Sequence, residues 1–271
     1  MKNKPVRVYE GSQKPFEPFW RVVDAAESDS GETEIEFYGY ISEYSWLEDD
    51  ITPAKFKADL AKLGNKPITI RVHSGGGDVY AASAIRAMIM DYPGKVTARI
   101  DGLCASAATY VAMAADHVKM QDSAFFMIHN PWMFTWGDEE ELKAAANFLK
   151  KIKAGIVETY QSKTSLDAEK LSKMMSAETW MTAKEAQENG FVDEVISESA
   201  KSFDLKNAAV LNALRNYENV PPMLLNSSDE QPVITEPSTE GEGENLIQPD
   251  EEKHEEDPEM VSLREYLKIF G

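Results

Sequence analysis

Between residues 34 and 196, short β-branched runs alternate with stretches of helical character. Glu34–Ile41 alternates apolar and polar residues and predicts a strand. Thr52 and Pro53 carry the capping and first-turn signals of a helix that runs to about Leu63, where Gly64-Asn65 stops it. Pro67–His73 predicts the next strand, Ser74–Asp78 a glycine turn, and a helix follows to Asp91. Pro93-Gly94 breaks that helix. Val96–Ile100 predicts a strand, Gly102 a turn, and Ser106–Ala115 a helix of small residues. Short strands at 118–120 and 124–128 precede a long helix at 138–163, polar on one side. Helices over 167–175 and from the Thr182 cap to Gly190 lead to a last strand, 192–196. Crossovers of a dozen or more residues between strands call for a mostly parallel sheet with helices packed on it, an α/β fold. In such sheets, functional residues gather where strands turn into helices.

Two of those turns are chemically unusual. Ser74-Gly75-Gly76-Gly77-Asp78 leaves backbone N–H groups bare and approachable. The loop suits a flexible turn, a phosphate cradle or an oxyanion hole. No Lys-Ser/Thr follows the glycines, so it is not a Walker-type loop. In Gly102–Ala108, Ser106 stands between a strand and a helix with alanines on both sides. Small neighbours keep a nucleophilic hydroxyl reachable, and a helix start favours an oxyanion. The same position also suits a plain N-cap serine. His129 ends the apolar run Phe125–Ile128, as a general base or as a structural residue. His73, at the strand end before the glycines, competes for the base role. His117 sits in a surface turn after Asp116 and His254 in an acidic segment. Four scattered histidines without an i,i+4 pair do not make a metal site.

Charge and cysteine content narrow the classes further. The chain has 271 residues and a net charge of −19. Twelve of those charges fall in residues 227–259, which hold thirteen acids, one lysine and no aromatic residue. That segment cannot bury enough apolar surface to offset its ordering entropy, so it reads as a disordered tail. Beyond it, Met260–Gly271 has the apolar spacing of a short docking helix, or of a frayed apolar end. So acidic a chain has no footprint for nucleic acid or anionic lipid. The single cysteine, Cys104, excludes a disulfide framework and suits a buried small apolar role. No apolar run spans a membrane, and the N-terminus lacks a signal-peptide pattern, so the chain reads as cytoplasmic.

Taken together, the glycine triplet, Gly102-x-x-Ala-Ser106-Ala-Ala and Met127-Ile-His129-Asn-Pro131 resemble the Clp protease proteolytic subunit family. The likeness runs over about residues 34–198 and continues in Trp180-Met-Thr-Ala-Lys-Glu-Ala-x-x-x-Gly-Phe-Val-Asp193. Spacings of 29 residues from Gly77 to Ser106, 23 to His129 and 49 to Glu178 match the family's layout. The resemblance implies the ClpP/crotonase fold of stacked β-α-β units with an extended handle helix. It divides the chain into an N-terminal extension (1–32), a peptidase-like domain (33–200) and an acidic tail (201–271).

The resemblance further implies a serine endopeptidase without cofactor. Ser106 matches the nucleophile, His129 the base and Glu178 the third, acidic member. Gly77 and Ala107 match the oxyanion-hole amides. Glu178 departs from the family's usual aspartate, and Asp167 is the alternative carboxylate. Gly75 departs from the usual proline, which loosens the loop. The family assembles as homo-oligomeric rings, heptameric or stacked, that act on protein and peptide substrates. The helix over 138–163 resembles its ring-joining segment. No ATP-binding motif is present, so ATP dependence would come from a Clp AAA+ ATPase partner. A ClpP-like core with an acidic, scaffold-like tail also resembles phage and prophage prohead proteases, whose partners would be capsid or scaffold proteins. Two other readings remain: a crotonase-type acyl-CoA enzyme, and an assembly protein with an inactive core.

Overall fold

The computed structural model describes residues 20–25, 28, 32–43, 51–197, 210 and 213–225. The acidic segment 227–259, the terminal apolar stretch, His254 and most of the first 32 residues lie outside them. The described strands form one eight-stranded sheet. Its main path is β1 (Trp20–Val23), β2 (Thr33–Ile41), β3 (Ile68–Gly77), β4 (Val96–Ala105), β5 (His117–Gln121) and β8 (Glu194–Ile196). β6 (Phe125–Ile128) pairs with β4 and with β7 (Thr179–Thr182). All pairings are parallel except β1 with β2 and β6 with β7. This is the mostly parallel α/β sheet expected from the alternation.

The helices start where the sequence caps them. Thr52 accepts from the Lys55 amide ahead of α1 (Pro53–Leu63), and Asp78 accepts from Ala81 ahead of α2 (Val79–Met90). Asp138 forms a capping box for α4 (Glu139–Gln161). Asp167 caps α5 (Ala168–Ser176), and Thr182 caps α6 (Ala183–Glu188) with a second box. Between these lies α3 (Ala107–Ala112), six residues long. The main core joins Ile35, Phe37, Ile70, Val72 and Ile100 of the sheet to Phe56 of α1, Ile85 of α2 and Val111 of α3. In α4 only Val157, Thr159 and Tyr160, near its end, are buried. The whole helix is roughly 34 Å long at 1.5 Å per residue, and most of its residues before Val157 are exposed.

Two expected turns are strand instead. β3 runs on through the glycines, with Gly76 and Gly77 registered against Tyr40 and Ile41 of β2. β4 runs through Gly102 and changes partner there: Thr97–Ile100 pair with β5, Leu103–Ala105 with β6. A strand glycine permits such a bend. Beyond Gly102 the strands are covered on both faces. Cys104, Phe126 and Ile128 face the main core, whereas Leu103, Ala105 and Met127 face a second cluster. That cluster is completed by Val210 and Leu214, with Val220 and with Leu224 of α7 (Pro222–Leu225) at its edge. A fully buried Val or Leu side chain contributes about 1.5–3 kcal/mol. The sequence reading ends the folded domain at residue 200, but residues 213–225 pack on it as a strap.

Candidate active site

Strand register brings the candidate residues together. Ala105 of β4 pairs with Met127 of β6, and the Ser106 amide donates to the Met127 carbonyl at 2.9 Å. Ile128 pairs with Thr179 of the antiparallel β7. Ser106, His129 and Glu178 each stand one residue beyond these pairs. Three sites far apart in sequence thus meet at one end of the β4-β6-β7 ladder.

Ser106 takes φ +55 and ψ −125, outside the ordinary regions for a residue with a side chain. Backbone of this kind costs on the order of 1–3 kcal/mol and persists only where its surroundings hold it. Ser106 occupies the N-cap position of α3 but makes no side-chain cap. Its Oγ instead meets His129 Nε2 at 2.7 Å. The hydroxyl thus has an imidazole partner in place of a helix-cap amide. The glycine strand closes over the same turn. A Cβ on Gly76, at φ +93, would stand 2.8 Å from Ser106 Cβ and 2.9 Å from the Ala107 nitrogen. Only a residue without a side chain allows that approach. Gly77 and Ser106 line a cleft of about 320 Å³, with Tyr40, Trp132, Met133 and Phe148 among its apolar walls. Ala107 lines a smaller recess beside it, again with Ser106 and His129.

Burial pushes the His129 pKa below the ordinary imidazole value, and the Glu178 charge opposes that shift. The imidazole is therefore held neutral, able to accept a proton. Glu178 acts on it through space only. Among the described residues, no hydrogen bond joins the two. The Glu178 carboxylate accepts instead from Trp180 Nε1 at 3.1 Å and from the Glu218 and Asn219 amides at 3.0 and 2.7 Å. Glu178 itself has φ +47.

Tyr217 is the neighbour that the sequence reading missed. Its ring stands edge-on to His129 with centroids 5.1 Å apart. Its hydroxyl donates to the Gly75 carbonyl. Burial pushes the Tyr217 pKa up to about 12, against a smaller opposing pull from the Ser106 hydroxyl. Gly75 leaves room for the strap: a Cβ there would run into Ala213 Cβ. A sequence signal for this cover does exist. Phe125-Phe-Met-Ile128 is apolar at every position, as a strand buried on both faces requires.

The other candidate residues stand away from Ser106 or bond elsewhere. His73 is 2% exposed, lies edge-on to Tyr38, and lines neither recess at Ser106. Burial drives its pKa down to about 4. His117 meets Glu194 and Asp193. The Asp167 carboxylate serves as the α5 cap. Cys104 is buried, which raises its thiol pKa. Among the described residues, no group of three or more His, Cys, Asp or Glu is placed to hold a metal, and no helix is long and apolar enough to cross a membrane.

Comparison with known proteins decides the family. The Clp protease family model matches residues 54–199, more than half of the chain. The chain belongs to the Clp protease family. It is 31% identical over 136 residues to ATP-dependent Clp protease proteolytic subunit 1 of Protochlamydia amoebophila, covering 49% of this chain and 66% of that protein. It is 31% identical over 132 residues to proteolytic subunit 2 of Treponema denticola, covering 48% and 66%. The match thus spans just under two thirds of the length of these relatives. Among solved structures, a ClpP1 point mutant of Listeria monocytogenes aligns with a TM-score of 0.53 and 25% identity, covering 60% of this chain and 90% of that one. The glycine triplet, Ser106, His129 and the Trp180–Asp193 stretch lie inside the matched residues. The strap does not.

Proposed function

We propose that this Clp protease-family chain is a serine endopeptidase that hydrolyses peptide bonds in protein substrates. The observation that carries the reading is the 2.7 Å contact of Ser106 Oγ with a half-buried His129 whose pKa is lowered, at a strained turn beside the glycine strand. Ser106 Oγ attacks the peptide carbonyl while His129 Nε2 takes the hydroxyl proton. The Gly77 and Ala107 amides hold the resulting oxyanion, each donor worth about 2.7–4 kcal/mol in the transition state. His129 passes its proton to the leaving amine, which departs. Water, deprotonated by the same imidazole, releases the acyl group and restores Ser106. Glu178 stabilises the imidazolium by its charge. The apolar walls of the cleft favour an apolar substrate side chain beside the scissile bond. An acyl-CoA enzyme has no use for the Ser106–His129 pair, and an inactive scaffold has no reason to hold it at bonding distance.

Self-assembly is part of the proposal. Trp132, Phe134 and Trp136 are 63%, 83% and 81% exposed on the segment leading into α4, and Leu142 and Phe148 of α4 are also exposed. Clustered apolar surface of this kind marks a protein interface. Delivery of substrate by a Clp ATPase and action on phage capsid proteins are separable by which of the two co-purifies with the chain. The central test is labelling with a fluorophosphonate, run beside a size measurement. Labelling that disappears in Ser106→Ala supports the reading. Assembled protein that never labels refutes it.

A further inference from the structure

The strap that covers the second face of β4 and β6 also reaches the reacting groups. Tyr217 touches the His129 ring and, through its hydroxyl, the glycine strand at Gly75. It packs on Trp180 with centroids 5.9 Å apart. The next two amides, of Glu218 and Asn219, hold the two oxygens of Glu178. Three consecutive residues therefore contact the histidine, the glycine strand and the carboxylate.

This strap is anchored, not laid over the site as a loose lid. Val210, Ala213 and Leu214 are buried, and Val210 and Leu214 pack with Leu103, Ala105 and Met127. The cleft at Ser106 remains open, with Ala213, Asn216 and Tyr217 forming one wall. A blocking segment would fill that cleft, whereas this one lines it. His129 meets Ser106, Tyr217 and the charge of Glu178, and shares its two recesses with Tyr40, Asp78, Tyr110 and Tyr160. With no hydrogen bond from Glu178, the ring is held by Ser106 at Nε2 and by the Tyr217 edge contact.

We propose that residues 213–219 are a working part of the active site and that Tyr217 is a positioning residue, which holds the His129 ring against Ser106. The inference rests on Ser106 and His129 being the reacting pair. Its test is the rate of fluorophosphonate labelling of the full-length chain across the pH range of imidazole titration, with Ser106→Ala as the blank. Tyr217→Ala is expected to label about tenfold more slowly, the rate equivalent of a lost edge-to-face contact. Its pH midpoint is expected to move up, because the ring that buries His129 is gone. Tyr217→Phe keeps that ring and is expected to restore most of the rate and the parent midpoint. Leu214→Ala loosens the anchor without touching His129 and is expected to shift the midpoint in the same direction as Tyr217→Ala. It carries the test if Tyr217→Ala does not fold. Tyr217→Ala labelling as fast as the parent, or faster, overturns the inference, as does a slower rate with an unmoved midpoint. No labelling of Ser106 in any form overturns the peptidase reading itself, and this inference with it.

Discussion

Replacing Gly76 by alanine tests whether the glycine strand is fitted to the Ser106 turn. The new Cβ would lie 2.7 Å from the Ala105 carbonyl oxygen, 2.8 Å from Ser106 Cβ and 2.9 Å from the Ala107 nitrogen. Two of these three neighbours are backbone atoms, which cannot swing aside. The backbone there has φ +93. Left-handed strain of about 1–2 kcal/mol and overpacking of about 1–3 kcal/mol together give a destabilisation of about 2–5 kcal/mol. Gly64 supplies the control. It has φ +68 and nothing within 4 Å of its would-be Cβ, so alanine there should cost only the strain, about 1–2 kcal/mol. Urea unfolding at matched protein concentration measures both. The functional readout is fluorophosphonate labelling. Gly76→Ala pushes on Ser106 and the Ala107 amide, and a displacement approaching 1 Å should slow labelling about 10²-fold. Gly64→Ala should label like the parent. Equal stability losses with parent-like labelling in both variants would refute the close-approach argument.

Other perturbations read different parts of the molecule. His73 has its pKa lowered to about 4 by burial, so it stays neutral in the fold while an unfolded chain protonates it near 6.5. Stability should therefore fall by up to about 3 kcal/mol as pH drops from 6.5 towards 4, and His73→Phe should flatten that slope in pH-dependent urea melts. Asp101, 3% exposed at its side chain, pairs with Arg71 and Arg99 and accepts from Tyr38. Asp101→Asn leaves two guanidinium groups short of a counter-charge and should cost about 3–5 kcal/mol in the same melts. Glu178→Gln removes the charge that raises the His129 pKa, so the midpoint of a labelling-rate profile should move down. Gly155 lies within α4 with open space at its Cβ position, and Gly155→Ala should stabilise by about 0.5–1 kcal/mol on thermal melting.

The alternation of strands and helices was legible because each element carries its own signal. Thr52-Pro53, Asp138 with Glu141, and Thr182 with Glu185 announce helix starts within four residues, and those caps are formed. The expected turns at the glycine triplet and at Gly102 became strand, since glycine signals freedom but not its use. Whether that freedom makes a turn, a bend or a close approach depends on what packs alongside. Here it was the Ser106 turn for Gly76, and the change from β5 to β6 for Gly102.

The sequence by itself determined the α/β class, the helix caps, the one-cysteine chemistry and which serine and histidine to suspect. These rest on local patterns or on motifs with fixed spacing. Tertiary structure alone decided three things. It placed His129, and not His73, beside Ser106, because parallel pairing of β4 with β6 brings the two strand ends together while His73 is buried and lines neither recess at Ser106. It turned the Glu178 carboxylate toward the Glu218 and Asn219 amides. It drew residues 213–225 onto the folded core, where Tyr217 meets His129. Pairing and burial join residues distant along the chain, and a local pattern carries no record of which distant partner will arrive.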